Sequence, residues 1–300
     1  MKRIMIFVLS ICLCFVFAGC RKKVKNELNI VTSCYPVYIM ALNITRDVPG
    51  INLENMCDIN TGCLHDFQLK SDDLKKIERS SVFIINGAGM ESFLDKITKE
   101  LSEIKIIDSS YNINLIKNSC KHNHEHKNHE HNYNSHIWLS ISNYINQVRN
   151  ITQKLSEFDP ENSQKYQYNC DQYIQKLENL KSEFEENLYD ITNKKIVTFH
   201  DAFPYFEQEF GLEIAGVINH EHENESSLKD LKKIIEIIKE NNIKNIFVEP
   251  QYNQNVAQII SGETGAEIFV LDPAVTGEKN PDSYINIMKK NLQTLIKSLK

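Results

Sequence analysis

Apolar residues fall along this chain in two rhythms, short continuous runs and longer stretches that recur every three or four positions. The short runs predict strands at 28–32, 51–56, 82–85 and 105–107, with helices at 35–47, 71–79 and 92–101 between them. A polar tract then interrupts the pattern, and helical spacing resumes at Ser140. The second half repeats the theme. Strands are predicted at 196–199, 213–217, 245–248 and 267–271. Helices are predicted from Pro204, a favourable first-turn proline, and at 227–241, 253–264 and 282–297. Strands alternating with helices make this an α/β chain of two (βα)4-type lobes with mostly parallel sheets. Between the lobes, 161–190 contains neither glycine nor proline, and Tyr166, Cys170, Tyr173, Leu177, Leu180, Phe184 and Leu188 form one apolar stripe. It reads as a single long linking helix; the alternative is a short coiled-coil dimer seam. The expected organisation is an N-terminal lobe over 28–160 with a histidine-rich loop at 120–135, the linking helix over 161–190, and a C-terminal lobe over 191–300.

The start of the chain adds a compartment. Lys2 and Arg3 precede an apolar run, 4–18, that ends at Gly19-Cys20. This is the layout of a signal peptide over 1–19, and the run is shorter than the ~20 residues of a spanning helix. Val16-Phe17-Ala18-Gly19-Cys20 resembles a bacterial lipobox, apart from Phe17, so Cys20 is the expected lipidation site and 20–27 a tether. An uncleaved anchor is the alternative, and both put the body of the chain outside the cytoplasm. Removing 19 residues and two cations leaves 281 residues and takes the formal charge from −6 to −8. An acidic body without a basic face excludes nucleic acid as the partner. Five cysteines remain besides Cys20, namely Cys34, Cys57, Cys63, Cys120 and Cys170, and an odd number cannot all pair within one chain. Cys57 and Cys63 are close enough for a small disulfide loop, whereas Cys170 reads as a buried apolar residue.

Three histidines stand at informative places. His65 follows the second strand in Gly62-Cys63-Leu64-His65, and His136 leads out of the polar tract into Ile137-Trp138-Leu139. His200 follows the strand at 196–199 directly, and Asp272 ends the last strand. Ligands of open α/β sheets bind beyond the carboxyl ends of the strands. Imidazoles with one carboxylate make a tetrahedral zinc site, although each histidine taken singly also reads as structural. A second signal is the tract itself. His122, His124, His126, His129 and His131, with Glu125 and Glu130, form a chelating segment too polar to fold into a core. His220 and His222 are a lesser version, read as an exposed loop.

In combination, GCLHDFQLK (62–70), VFIINGAGMESF (82–93), HIWLS (136–140), VTFHDAFPYF (197–206) and IFVEPQYNQNVAQIISGETGAEIFVLDPAVTG (246–277) resemble the metal-binding lipoproteins of bacterial zinc and manganese ABC importers. The resemblance spans essentially the whole chain after the leader. It implies two lobes bridged by a rigid helix, metal in the cleft between them, and ligand positions at His65, His136 and His200. Histidine at the third position is the zinc-like choice, since manganese-directed relatives commonly carry glutamate there. Asp272 matches an acidic position that often completes coordination. Two departures are Leu64 before the first ligand position and Asn134-Ser135 in place of an Asp-Pro pair before the second. Cys63 is readable as a thiolate ligand, a disulfide partner or a buried thiol. Asp66 and Asp201, each beside a ligand histidine, read equally as groups that orient the imidazole or as helix caps.

The functional expectation is a monomeric, non-enzymatic solute-binding protein, lipid-anchored through Cys20 on the outer face of the cell membrane. It captures Zn2+ and hands it to an ABC permease, with Mn2+ as the alternative cargo. The rivals are a zinc hydrolase, which lacks an H-E-x-x-H helix here, and a surface adhesin stabilised by metal.

Overall fold

A computed structural model describes residues 27–62, 64, 67–96, 104–118, 133–218, 228–251 and 254–300. The first half builds β1 (Leu28–Thr32), α1 (Tyr35–Ile44), β2 (Ile51–Asn55), α2 (Ser71–Glu78), β3 (Val82–Ile85) and β4 (Lys105–Asp108). Their four strands form a parallel sheet in the order β2-β1-β3-β4. The helix predicted to run to 47 stops at Ile44 because Thr45 turns its hydroxyl back onto Ala41 O and Asp47 is left-handed, ahead of Pro49 and Gly50. Of the helix predicted over 92–101, the part Ser92–Lys96 is a 3-10 turn, and 97–101 lie outside the described residues. The chain reaches this turn through three left-handed residues, Gly87, Ala88 and Gly89, and closes the tighter bond from Leu94 N to Glu91 O.

Two helices carry the chain across. α3 (Ile141–Phe158) is capped by Ser140, whose hydroxyl accepts from Asn143 N, and α4 (Ser163–Leu188) follows. All seven apolar positions of the predicted stripe on α4 are buried. They pack the helix onto α1 and α3 on one side and onto the second lobe on the other. Burial of large side chains contributes about 1.5–3 kcal/mol each, so this stripe holds the helix as part of the core, not as a seam for another copy.

The second half comprises β5 (Lys195–Thr198), α5 (Pro204–Phe210), β6 (Glu213–Val217), α6 (Leu228–Glu240), β7 (Asn245–Val248), α7 (Asn255–Thr264), β8 (Glu267–Val270) and α8 (Ser283–Leu299). Its sheet repeats the first, parallel in the order β6-β5-β7-β8. In each sheet the chain leaves the first strand in one direction and returns on its other side, so a topological switch point lies between β1 and β3 and between β5 and β7. Among the described residues no helix is long and apolar enough to cross a membrane.

The lobes are fastened together. Trp138 Nε1 donates to Pro273 O at 2.7 Å, and Tyr284 Oη returns to Trp138 O at 2.7 Å. Tyr35 Oη donates to Glu278 O and Asn43 Nδ2 to Pro281 O, each at 2.8 Å. The rings of Tyr144 and Tyr284 stack at 3.7 Å.

Candidate metal centre

His200 stands two residues past β5, and Glu249 is the first residue past β7, so the two flank the switch point of the second sheet. Both are almost wholly buried. His200 Nδ1 lies 3.3 Å from Glu249 Oε1 and 3.4 Å from Oε2. A carboxylate on Nδ1 fixes the proton there, which leaves the lone pair on Nε2. Glu249 was not singled out in the sequence. The signal that could have found it is the one that found His200, a polar residue directly after an apolar strand.

His136 is built the same way from different parts. It precedes the 3-10 turn Ile137–Leu139 and is buried. Asn134 Oδ1 accepts from His136 N at 3.0 Å and lies 3.1 Å from His136 Nδ1. The amide cannot be turned over, because Asn134 Nδ2 donates to Asp201 O at 2.6 Å across the cleft. Nδ1 is therefore the protonated nitrogen of His136, and Nε2 again carries the lone pair. Asn134, a departure from the expected Asp-Pro, does the work of an orienting acceptor. Asp201, read equally as an orienting group or a helix cap, contributes its backbone carbonyl to this arrangement.

The loop that bears His136 is held from below. Asn86, next to the switch point of the first sheet, donates from Nδ2 to Ser135 O at 2.9 Å and accepts from Gln147 Nε2 at 3.0 Å. Glu91 anchors Asn86 in turn, accepting from Ser33 Oγ (2.6 Å), Asn86 N (2.8 Å) and Gly87 N (3.0 Å). Burial pushes the Glu91 carboxyl up to about 7 against these hydrogen bonds. Gly87 is required here: its φ is +80°, and a Cβ would meet Asp108 Oδ1 at 2.0 Å.

The rings of His136 and His200 face each other across the cleft with centroids 4.7 Å apart, nearly perpendicular. Asp272 follows β8 and is bound to α8, its N donating to Asn291 Oδ1 and its O accepting from Asn291 Nδ2, each at 2.8 Å. Its carboxylate accepts from Ala274 N at 2.8 Å. Burial, with Glu249 nearby, pushes its carboxyl up. Among the described residues no three His, Cys, Asp or Glu side chains form a group that could hold a metal ion, and of the expected ligand positions His136 and His200 are the ones seen ring to ring. His65, Cys63, Asp66, Cys20, Cys120, His220, His222 and the tract containing His122, His124, His126, His129 and His131 lie outside the described residues.

Residues 30–298 match the family described as zinc-uptake complex component A, periplasmic. The chain is 29% identical over 307 residues to the zinc-binding lipoprotein AdcA of Streptococcus pneumoniae R6, covering 98% of this chain and 60% of that protein. It thus spans about three fifths of that longer relative. It is 30% identical over 312 residues to the high-affinity zinc uptake system protein ZnuA of Bacillus subtilis 168, covering 98% and 97% of the two chains. Among solved structures, the substrate-binding protein FpvC of Pseudomonas aeruginosa, in complex with Mn2+, is 26% identical with a TM-score of 0.79, over 91% of this chain and 98% of that one.

Proposed function

We propose, from the premise that this chain belongs to the family of periplasmic zinc-uptake complex A components, that it captures Zn2+ outside the cytoplasm and delivers it to an ABC-type membrane permease. The observation that carries this reading is the histidine pair. Two buried imidazoles face each other, each with Nδ1 set against an acceptor, Asn134 or Glu249. Two lone pairs are thereby oriented before any metal arrives, which lowers the cost of ordering the site when it binds. His65 and Asp272 complete the proposed ligand set, giving three imidazoles and a carboxylate, a donor set that suits zinc. The cation is cargo, and no bond of a substrate is broken.

The residues around the site support capture without chemistry. Glu249, a buried carboxylate at the centre, is engaged with His200 as an orienting partner and is not set towards a substrate as a general base. The tract with His122, His124, His126, His129 and His131 gathers zinc near the cleft without forming part of the tight site. Lipid on Cys20 keeps the chain at the outer face of the cell membrane, within reach of the permease. Manganese is the second reading, favoured by the carboxylates Glu249 and Asp272 at adjacent strand ends.

A zinc titration with manganese competition tests this, on the chain with and without residues 121–131. The expected result is one tight zinc equivalent in both forms, undisplaced by manganese and lost in His136→Ala and His200→Ala. Tight binding that disappears with the tract would overturn the cleft site, and displacement by equimolar manganese would reassign the cargo.

A further inference from the structure

Two buried cysteines, Cys34 and Cys57, lie outside the metal centre and have no part in it. Strands β1 and β2 run parallel with Thr32 opposite Asn55 as their last pair, closed by Met56 N donating to Thr32 O at 2.7 Å. Cys34 keeps an extended backbone (φ −141°, ψ 166°). Cys34 and Cys57 each stand two residues beyond that last pair, whose side chains are joined by Thr32 Oγ1 donating to Asn55 Oδ1 at 2.8 Å, and the two thiols lie near enough for Cys57 to act electrostatically on Cys34. Cys57 Sγ is 3.5 Å from Ser33 O, the peptide that leads into Cys34. Paired strands stand about 4.8 Å apart, inside the ~4.4–6.8 Å between Cα atoms that a disulfide spans.

We propose that Cys34 and Cys57 are a thiol–disulfide couple, a covalent modification site that staples the carboxyl ends of β1 and β2. The oxidant is a small-molecule disulfide or the disulfide of an oxidoreductase. One cysteine, as thiolate, attacks a sulfur of the donor and releases one thiol. The second then attacks the protein-side sulfur of the mixed disulfide and releases the other thiol. The cysteine pair loses two electrons, the donor gains them, and both cysteine protons end on the released thiols. Burial pushes the Cys34 thiol well up, with Glu91 and then Cys57 adding to it, and burial raises Cys57 as well. Thiolate is scarce and access is closed in the folded protein, so the bond forms as the strands come together and thereafter exchanges slowly. The chain leaves β2 through Cys57 for the stretch of sequence that carries His65, so the staple fixes the root of that stretch. That consequence rests on the metal-capture reading; the bond itself does not.

The test uses the full chain, reduced and unfolded, then refolded in mixed oxidised and reduced glutathione, with remaining thiols alkylated. Trypsin leaves Cys57 and Cys63 on one peptide, but Asp58 lies between them, so added cleavage before aspartate separates the two. The expected product is a Cys34 peptide joined to a Cys57 peptide, kept in Cys63→Ser and lost in Cys34→Ser. The oxidised chain should also unfold at a higher urea concentration than the reduced one. A Cys57–Cys63 or Cys34–Cys63 linkage, or alkylation of both Cys34 and Cys57 in the refolded protein, overturns the proposal. Zinc titration of the same oxidised sample is read separately: a linked chain that binds no zinc defeats the metal reading and leaves the couple standing.

Discussion

At the scale of single residues, the centre depends as much on what holds the imidazoles as on the imidazoles themselves. Glu249 and His200 are both buried, so neither side chain is satisfied by water. Replacing Glu249 by Gln keeps the volume but turns a charged acceptor on Nδ1 into a neutral one. Zinc affinity should then fall about 10–100-fold with the fold intact, as losses of such orienting partners typically do. Asn134→Ala should fall in the same range, and His200→Ala should lose more than either. Competition with a fluorescent chelator measures all three, and an unchanged affinity in Glu249→Gln would remove Glu249 from the account. Protonated imidazole cannot ligate, so affinity should also drop steeply as pH falls from about 7.5 to about 5.5. His136 and His200 were legible as candidates because each ends or follows an apolar segment. Glu249 was not, because a lone glutamate after a strand has many surface counterparts, and only the folded sheet sets it beside His200.

At the scale of elements, the first lobe shapes the centre through a buried carboxylate. Glu91 is tied to the ends of β1 and β3 and supports the loop of Asn134, Ser135 and His136 through Asn86. Its carboxyl titrates near 7 in the folded protein against about 4.5 for an ordinary glutamate, so the native state holds a proton that the unfolded chain releases. The stability this contributes is full below about pH 4.5 and is lost as pH rises through about 7, a difference on the order of 3 kcal/mol. Urea denaturation of the metal-free protein, held in chelator, should therefore show a higher midpoint at pH 5 than at pH 8 from this group. Glu91→Gln, neutral throughout, should flatten that slope; an unchanged slope would assign it to other groups. The elements themselves were readable because burial period and strand length agree: 28–32, 82–85, 213–217 and 245–248 are strands from end to end as predicted. Of the helix predicted over 92–101, the described part, Ser92–Lys96, is a tighter 3-10 turn for a tertiary reason: Glu91, just before it, is drawn back to the strand ends.

At the scale of the whole molecule, the question is what moves when zinc enters. Four interlobe hydrogen bonds, from Trp138, Tyr284, Tyr35 and Asn43, join the first lobe to the segment after β8, and the Tyr144–Tyr284 stack lies between them. Trp138 is also two residues from His136, while its partner Pro273 adjoins Asp272, so the latch and the proposed ligands share the same loops. Swinging the lobes apart would expose these groups at about 1–3 kcal/mol for each buried hydrogen bond left unmade. Loops at the mouth of the cleft can rearrange without that cost. Zinc loading should therefore leave the radius of gyration in small-angle scattering unchanged while stabilising the fold. At about 100 times its dissociation constant, bound zinc adds about 2.7 kcal/mol. For a chain of this length that is a rise of about 4–5 °C in the unfolding midpoint. Trp138→Phe keeps the ring but removes the donor to Pro273 O. Its metal-free form should unfold at lower temperature and, with the latch weakened, contract measurably on binding zinc. A contraction of the unmodified protein as large as that of the variant would mean that the lobes themselves, and not their loops, close on the metal.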